Sequence, residues 1–237
     1  MQKLPFKFLF IIIITVSARA YGQDQTAENK LLEADSLYKN SQYTQALKIY
    51  ENLFDAGHTS PNMLLKLAQI NEGRAAYGES IFYLEKYYQL TEDTRILNYI
   101  TKLTSDNKIE GFNYELPFYV NHYYKEYRKI ILLLFVVLLL LVLAVSQLQK
   151  QPIKKHAFGI FTLLIMIAFT NNFKGITYGI ITESPSFLMT GSSAGADVAS
   201  EINNPLKLRL GRQTDIWIQT SFEDKKVFVK ADHIKKL

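Results

Sequence analysis

The side chains that could do chemistry are few and scattered. The 237-residue chain has four histidines, His58, His122, His156 and His233, in four different regions, and no cysteine. Nucleophilic or metal-assisted catalysis needs a base, a nucleophile or several ligands within reach of one another. Neither a His-Glu-x-x-His pair nor a glycine-rich phosphate loop occurs. Lack of cysteine removes disulfides, thiol catalysis and Cys-based metal sites together. Glu51, Asp55, Glu72 and Glu79 fall on the faces of expected helices, where a solvated carboxylate needs no acid or base role. No catalytic residue, metal or cofactor is expected, and the function left is binding.

The elements that would carry binding surfaces are set by the middle of the chain. Ile130–Ala144 is free of charge, and fourteen strongly apolar residues run from Ile130 to Leu143. At the per-residue insertion energies of Leu, Ile, Val and Phe they favour the bilayer by roughly 4–8 kcal/mol. With its flanks to Gln149 the run reaches the ~20 residues that cross the hydrocarbon. A second apolar run, Ala157–Thr170, follows a short basic connection and is expected to return the chain as the other arm of a transmembrane hairpin. Lys154 and Lys155 can snorkel at its near end. Phe118, Tyr119, Tyr123, Tyr124 and Tyr127 before the first run have the makeup of an interfacial aromatic belt.

Lys3 and Lys7 precede an apolar stretch, Phe8–Val16, which ends in Ala18-Arg19-Ala20. This is the pattern of a signal peptide. Charge bias does not orient the hairpin, because Lys150, Lys154 and Lys155 in the loop are balanced by Lys125, Arg128 and Lys129 before the first span. The signal peptide decides, placing both flanking modules outside the cytoplasm. The formal net charge of +5 comes from basic residues that are scattered or lie beside membrane, with no aromatic-interleaved basic patch, so nucleic acid is not an expected partner.

From Ala27 to Asp106 apolar residues recur at three- and four-residue spacing, as in helices, and the pattern repeats. Ala34 and Ala68 are 34 residues apart, as are Tyr43 and Tyr77, Ala46 and Ser80, Tyr50 and Leu84, and Leu53 and Tyr87. That period, with Ser41-Gln42-Tyr43-Thr44-Gln45-Ala46-Leu47 at the turn into a second helix, resembles the tetratricopeptide family. Small residues let the two helices of each hairpin approach closely. Thr94–Thr104 is expected as a capping or third-repeat helix. The resemblance implies a concave groove, lined by the first helices, that binds protein partners. By position it would present Asp35, Tyr38 and Lys39 from the first repeat, and Asn62, Leu65, Gln69 and Glu72 from the second.

Beyond the second run the pattern changes to alternation and turns. Ile180–Thr182, Ser186–Thr190, Leu206–Leu210, Asp215–Ser221 and Lys226–Lys230 read as short strands, from which a small closed barrel is expected. The order resembles a bacterial SH3 domain: a first strand, a Ser/Gly loop Thr190–Ala196, a strand pair, Trp217, a turn at Glu223-Asp224 and a closing Ala231–Leu237. Val227-Phe228 stands where that family usually has Gly-Trp, Ser192 where it has Pro, and Pro205 where it has Gly. Trp217 is expected in the core.

The expected fold class is thus a multidomain membrane protein: α-helical tetratricopeptide repeats, a two-helix transmembrane hairpin and a small all-β SH3-like barrel. Its segments are a signal peptide (1–22), the repeat domain (23–115), an aromatic and basic juxtamembrane segment (116–129), two transmembrane helices (130–149 and 157–177) around a cytoplasmic loop (150–156), and the SH3-like domain (178–237). This order resembles the BatE-type proteins of the aerotolerance (Bat) operon. The resemblance implies a non-enzymatic scaffold in the bacterial inner membrane, its soluble modules periplasmic. Partners would be other membrane and periplasmic proteins, among them Bat proteins with von Willebrand factor A domains, besides membrane lipid. The alternatives are a wall sensor binding peptidoglycan through the SH3-like domain, and an accessory subunit of a membrane transport or secretion complex.

Overall fold

The computed structural model describes residues 26–149 and 153–237. The signal-peptide reading of 1–22 and the start of the loop after Gln149 lie outside the described residues. Among the described residues five short helices come first: α1 (26–39), α2 (Tyr43–Asp55), α3 (Pro61–Gly73), α4 (Tyr77–Thr91) and α5 (Thr94–Asp106).

Their arrangement keeps the 34-residue register in the backbone. Ser41 and Ala75 are both left-handed, at φ 60° and 58°, and each ends the first helix of a hairpin. At both turns the next amide donates five residues back, Gln42 N to Leu37 O and Ala76 N to Asn71 O, each at 2.9 Å. A non-glycine residue in this region costs roughly 1–2 kcal/mol, so its recurrence marks a turn fixed by its surroundings. α3 begins on Ser60, whose Oγ accepts the Met63 amide, with Pro61 at the first helical position. Asp93 caps α5 by accepting the Arg95 amide.

The register also holds in the packing. Ala34 and Ala68 are buried, as are Ala46 and Ser80, and Tyr50 and Leu84. No room is left at Ala46 or Ser80, both fully enclosed. The Ser80 hydroxyl finds no hydrogen-bond partner there among the described residues. These side chains form one core with Leu64, Leu67, Ile81, Tyr83, Tyr88 and Ile100. After α5 another left-handed residue, Lys108 (φ 55°), sends the chain toward the sheet.

α6 runs unbroken from Leu116 to Leu148, with Pro117 in its first turn. The aromatic and basic stretch is therefore continuous with the apolar run. At 1.5 Å per residue its 33 residues rise about 50 Å. Among the described residues it is the one helix long and apolar enough to cross a membrane. α7 (Ala157–Asn172) has 16 residues and rises about 24 Å, short of a hydrocarbon core of about 30 Å. α7 packs on α6, where Ser146, Leu163 and Thr170 are buried.

The return from α7 is tied to α6 by two side chains. Asn121 donates to Ile176 O at 3.0 Å and accepts the Ile176 amide at 2.6 Å. Tyr124 OH donates to Phe173 O at 2.8 Å.

Seven strands follow: β1 (Thr177–Ile181), β2 (Ser186–Met189), β3 (Val198–Ile202), β4 (Leu206–Thr214), β5 (Trp217–Phe222), β6 (Lys225–Lys230) and β7 (Ile234–Lys236). Every ladder between them is antiparallel, in the order β3-β2-β6-β5-β4-β1-β7. The closed barrel expected from the sequence is not formed. β3 and β7 end the ladder, and each pairs with a single neighbour. A core of Ile181, Leu188, Ile202, Leu208, Ile218, Val229 and Ile234 draws on all seven strands, so the open sheet curls around it. Trp217 is buried, at 6% exposure, outside that cluster. Glu223 and Asp224 form the expected turn, both at positive φ, as a two-residue hairpin loop requires.

Candidate functional site

Several places gather side chains from more than one element. The first is a cleft of about 810 Å³ between α3, α4 and α5. Leu65, Gln69 and Glu72 from α3 line it, facing Ile96, Tyr99, Leu103 and Asp106 from α5, with Leu84 of α4 behind. The α3 positions Asn62, Leu65, Gln69 and Glu72, moved on by 34 residues, give Ile96, Tyr99, Leu103 and Asp106. All four of these α5 residues are on the wall. Extending the repeat register into α5 finds them, whereas the positions named from the sequence come from the first two repeats alone.

The cleft is apolar at its base and acidic at its rim. Glu72 accepts the Tyr99 hydroxyl at 2.7 Å. Burial first, and then this carboxylate, push the Tyr99 hydroxyl up to about 12, so it stays a donor at any physiological pH. No lysine or arginine lines the cleft. Of the seven positions named from the sequence, Leu65, Gln69 and Glu72 share this wall. Tyr38 touches it through its hydroxyl, which donates to Gln69 Oε1 at 2.6 Å. Lys39 and Asn62 are exposed beyond it.

Asp35 sits in a different cluster, between α1, α2 and α3. Its Oδ1 accepts from Tyr50 OH at 2.6 Å and from Lys66 Nζ at 2.7 Å, and Lys66 also lies over the Tyr38 and Tyr50 rings. Burial would raise the Asp35 carboxyl, but the hydrogen bonds from Lys66 and Tyr50, with the charges of Lys66 and Lys39, hold it below its ordinary value. Its contribution is therefore complete above the unfolded-state value near 3.9 and is lost as pH falls through the lower folded-state value. Asp35→Asn is expected to melt lower than the parent at pH 7. The gap should close steadily between pH 5 and pH 3, and a constant gap across that range would exclude the ionised carboxylate as its source.

The second place is the joint between helices and sheet. Lys207 of β4 donates to Glu85 of α4 at 2.5 Å, their side chains 5% and 3% exposed. Tyr114 OH donates to the same Glu85 oxygen at 2.7 Å. Four rings surround the Lys207 ammonium, Phe112, Tyr114, Phe118 and Tyr178, with centroids 5.0–5.7 Å away. Burial, and next the Glu85 charge, drive the Tyr114 hydroxyl far above its ordinary range. Nearby, Lys235 of β7 pairs with Glu79 and lies over Phe82 and Tyr83. Gly78 brings α4 against Thr182 and Pro205, within about a methyl group of contact. Ile180 belongs to the helical core. Repeat-like helices and sheet are thus packed as one body.

Searches against protein-family models, curated proteins and solved structures find no match to this chain.

Two arrangements resemble catalytic motifs and need weighing. Gly191-Ser192-Ser193-Ala194-Gly195 has the Gly-x-Ser-x-Gly spacing. A nucleophile elbow needs a strand-to-helix turn, whereas these residues join β2 to β3. Ser193 Oγ accepts the Gly195 amide at 3.2 Å, as in an ordinary serine turn. Ser186 Oγ lies 2.9 Å from His233 Nδ1, with Glu183 3.5 Å from Nε2. Ser186 is fully buried, so a substrate has no path to its hydroxyl, and the pair ties β2 to the turn before β7. Among the described residues no three His, Asp or Glu side chains gather as a metal ion would require.

Proposed function

We propose that this chain is a non-enzymatic adaptor, held at a bacterial inner membrane by α6 with α7 as the return arm, whose exported helical module binds a segment of a partner protein. The observation that carries this reading is the cleft between α3 and α5. It is roomy, apolar at its base, rimmed by Glu72 and Asp106, and free of cations. A segment with apolar side chains and at least one lysine or arginine complements it. The 34-residue register supports a tetratricopeptide assignment for the helices, with α5 as a third first-helix. The curled sheet, with its buried Trp217, is read as an SH3-like relative serving as a structural partner of α4. Membership of a BatE-type envelope complex fits this order of parts, and von Willebrand factor A-domain proteins are the partners it would assemble.

Tyr99→Ala and Leu65→Lys test the groove in the full chain, purified in mild detergent from its native membrane. Truncating a buried aromatic anchor typically costs about 2 kcal/mol or more, roughly thirtyfold in affinity. Co-purified proteins quantified by mass spectrometry should fall at least tenfold in both variants, while the melting temperature stays near that of the parent. If every partner is retained at parental levels by two folded variants, the cleft is not the binding surface.

A further inference from the structure

A smaller cavity, of about 280 Å³, opens between α4, α6 and β1, where α6 leaves the apolar run. Lys125 lines it and, among the described residues, makes no ion pair or hydrogen bond there. Tyr88, 2% exposed, and Tyr178 are on its wall, and neither hydroxyl has a hydrogen-bond partner among the described residues. Glu126 stands at the rim, exposed and without an ion pair. Also on the wall, Glu85 and Lys207 neutralise each other, and His122 faces Glu92 at 3.8 Å. Beside the cavity, burial and then the Lys125 charge hold the Lys86 ammonium below its ordinary value.

Depth selects the ligand. Lys125 precedes Ile130 by five residues, about 7.5 Å along the helix, and each headgroup layer of a bilayer is about 5–8 Å thick. Tyr123, Tyr124, Tyr127 and Phe173 ring the same level as an interfacial belt does. Gly175, at φ +81°, lets the chain return against Asn121 and Lys125, where a Cβ would come within 3.0 Å of both. The connection thereby backs the Lys125 stem. We infer that this cavity seats the head group of a membrane phospholipid, its phosphate on Lys125 and the Tyr88 and Tyr178 hydroxyls, its amine toward Glu126. The inference rests on α6 crossing the membrane.

The test uses the full chain in neutral detergent, titrated with phosphatidylethanolamine, with phosphatidylglycerol, and with free phosphoethanolamine, following the melting temperature. Phosphatidylethanolamine should raise it saturably, and Lys125→Gln should weaken the half-saturation point at least tenfold. Phosphatidylglycerol, lacking the amine, should bind severalfold more weakly in the parent and equally well in Glu126→Gln. Lys174→Gln, at the interface but outside the cavity, should behave as the parent. An equal response to free phosphoethanolamine would assign the site to a soluble phosphate and overturn the lipid reading. Parental titration curves for a folded Lys125→Gln would overturn the site. Flotation with vesicles separates the two levels: a chain that does not float refutes the span, whereas one that floats and binds lipid independently of Lys125 refutes only the cavity.

Discussion

Glu85→Ala should lower the stability of the full chain by about 3–5 kcal/mol, the usual cost of removing one partner of a buried ion pair. For a chain of this size that corresponds to a fall of roughly 6–20 °C in melting temperature. The magnitude follows from what is left behind. Lys207 would keep its charge inside a box of four rings, with 5% of its side chain exposed, and Tyr114 would lose its acceptor. Cation–π attraction contributes about 0.5–2 kcal/mol, too little to replace the carboxylate. Pairing Glu85→Leu with Lys207→Met removes both charges and should recover most of the loss, since buried pairs are often no better than apolar residues of similar volume. Glu79→Ala is the internal comparison. Its partner Lys235 is 35% exposed, so the loss there should stay near the 1 kcal/mol ceiling of solvent-reached pairs. Equal melting curves for the Glu79 and Glu85 variants would mean that water reaches the joint.

The sequence carried the helical half because its signal is periodic. The pairs Ala34 and Ala68, Ala46 and Ser80, and Tyr50 and Leu84 share burial, and the turns at Ser41 and Ala75 share their backbone geometry and hydrogen bonding. Small Ala34, Ala46, Ala68 and Ser80 sit where helices touch. The same register reaches the cleft wall on α5, the helix expected as a cap or third repeat. β3 was illegible for a physical reason. Val198-Ala199-Ser200-Glu201-Ile202 is an edge strand that buries Ile202 alone, so it lacks the apolar alternation of a core-facing strand. Barrel closure was expected from strand count and order, but closure depends on β3 meeting β7, which no pattern within either strand encodes. Least legible was the joint. Glu85 and Lys207 are 122 residues apart, and neither stands out among the charged residues. Only the tertiary fold reveals that one needs the other.

Gly111→Ala should be the most damaging single-methyl change in the joint, because two costs meet at one atom. Gly111 has φ +90°, where an L-residue is strained by about 1–3 kcal/mol. An added Cβ would also stand 2.7 Å from the Lys207 carbonyl oxygen and 3.2 Å from its amide nitrogen. These are backbone atoms of β4, so no rotamer change relieves the clash. The 110–112 segment would have to withdraw, opening the Glu110–Leu206 bridge and drawing Phe112 and Tyr114 off the Lys207 ammonium. Overpacking of this kind adds about 1–3 kcal/mol, for a combined loss of about 2–6 kcal/mol. Gly57→Ala separates the two costs, since Gly57 has nearly the same backbone strain at φ +86° but nothing within 4 Å of the added carbon. Gly57→Ala should lose only the strain energy. The difference between the two melting temperatures then measures the close approach of chain and strand, and identical losses would show that Gly111 does not press on β4.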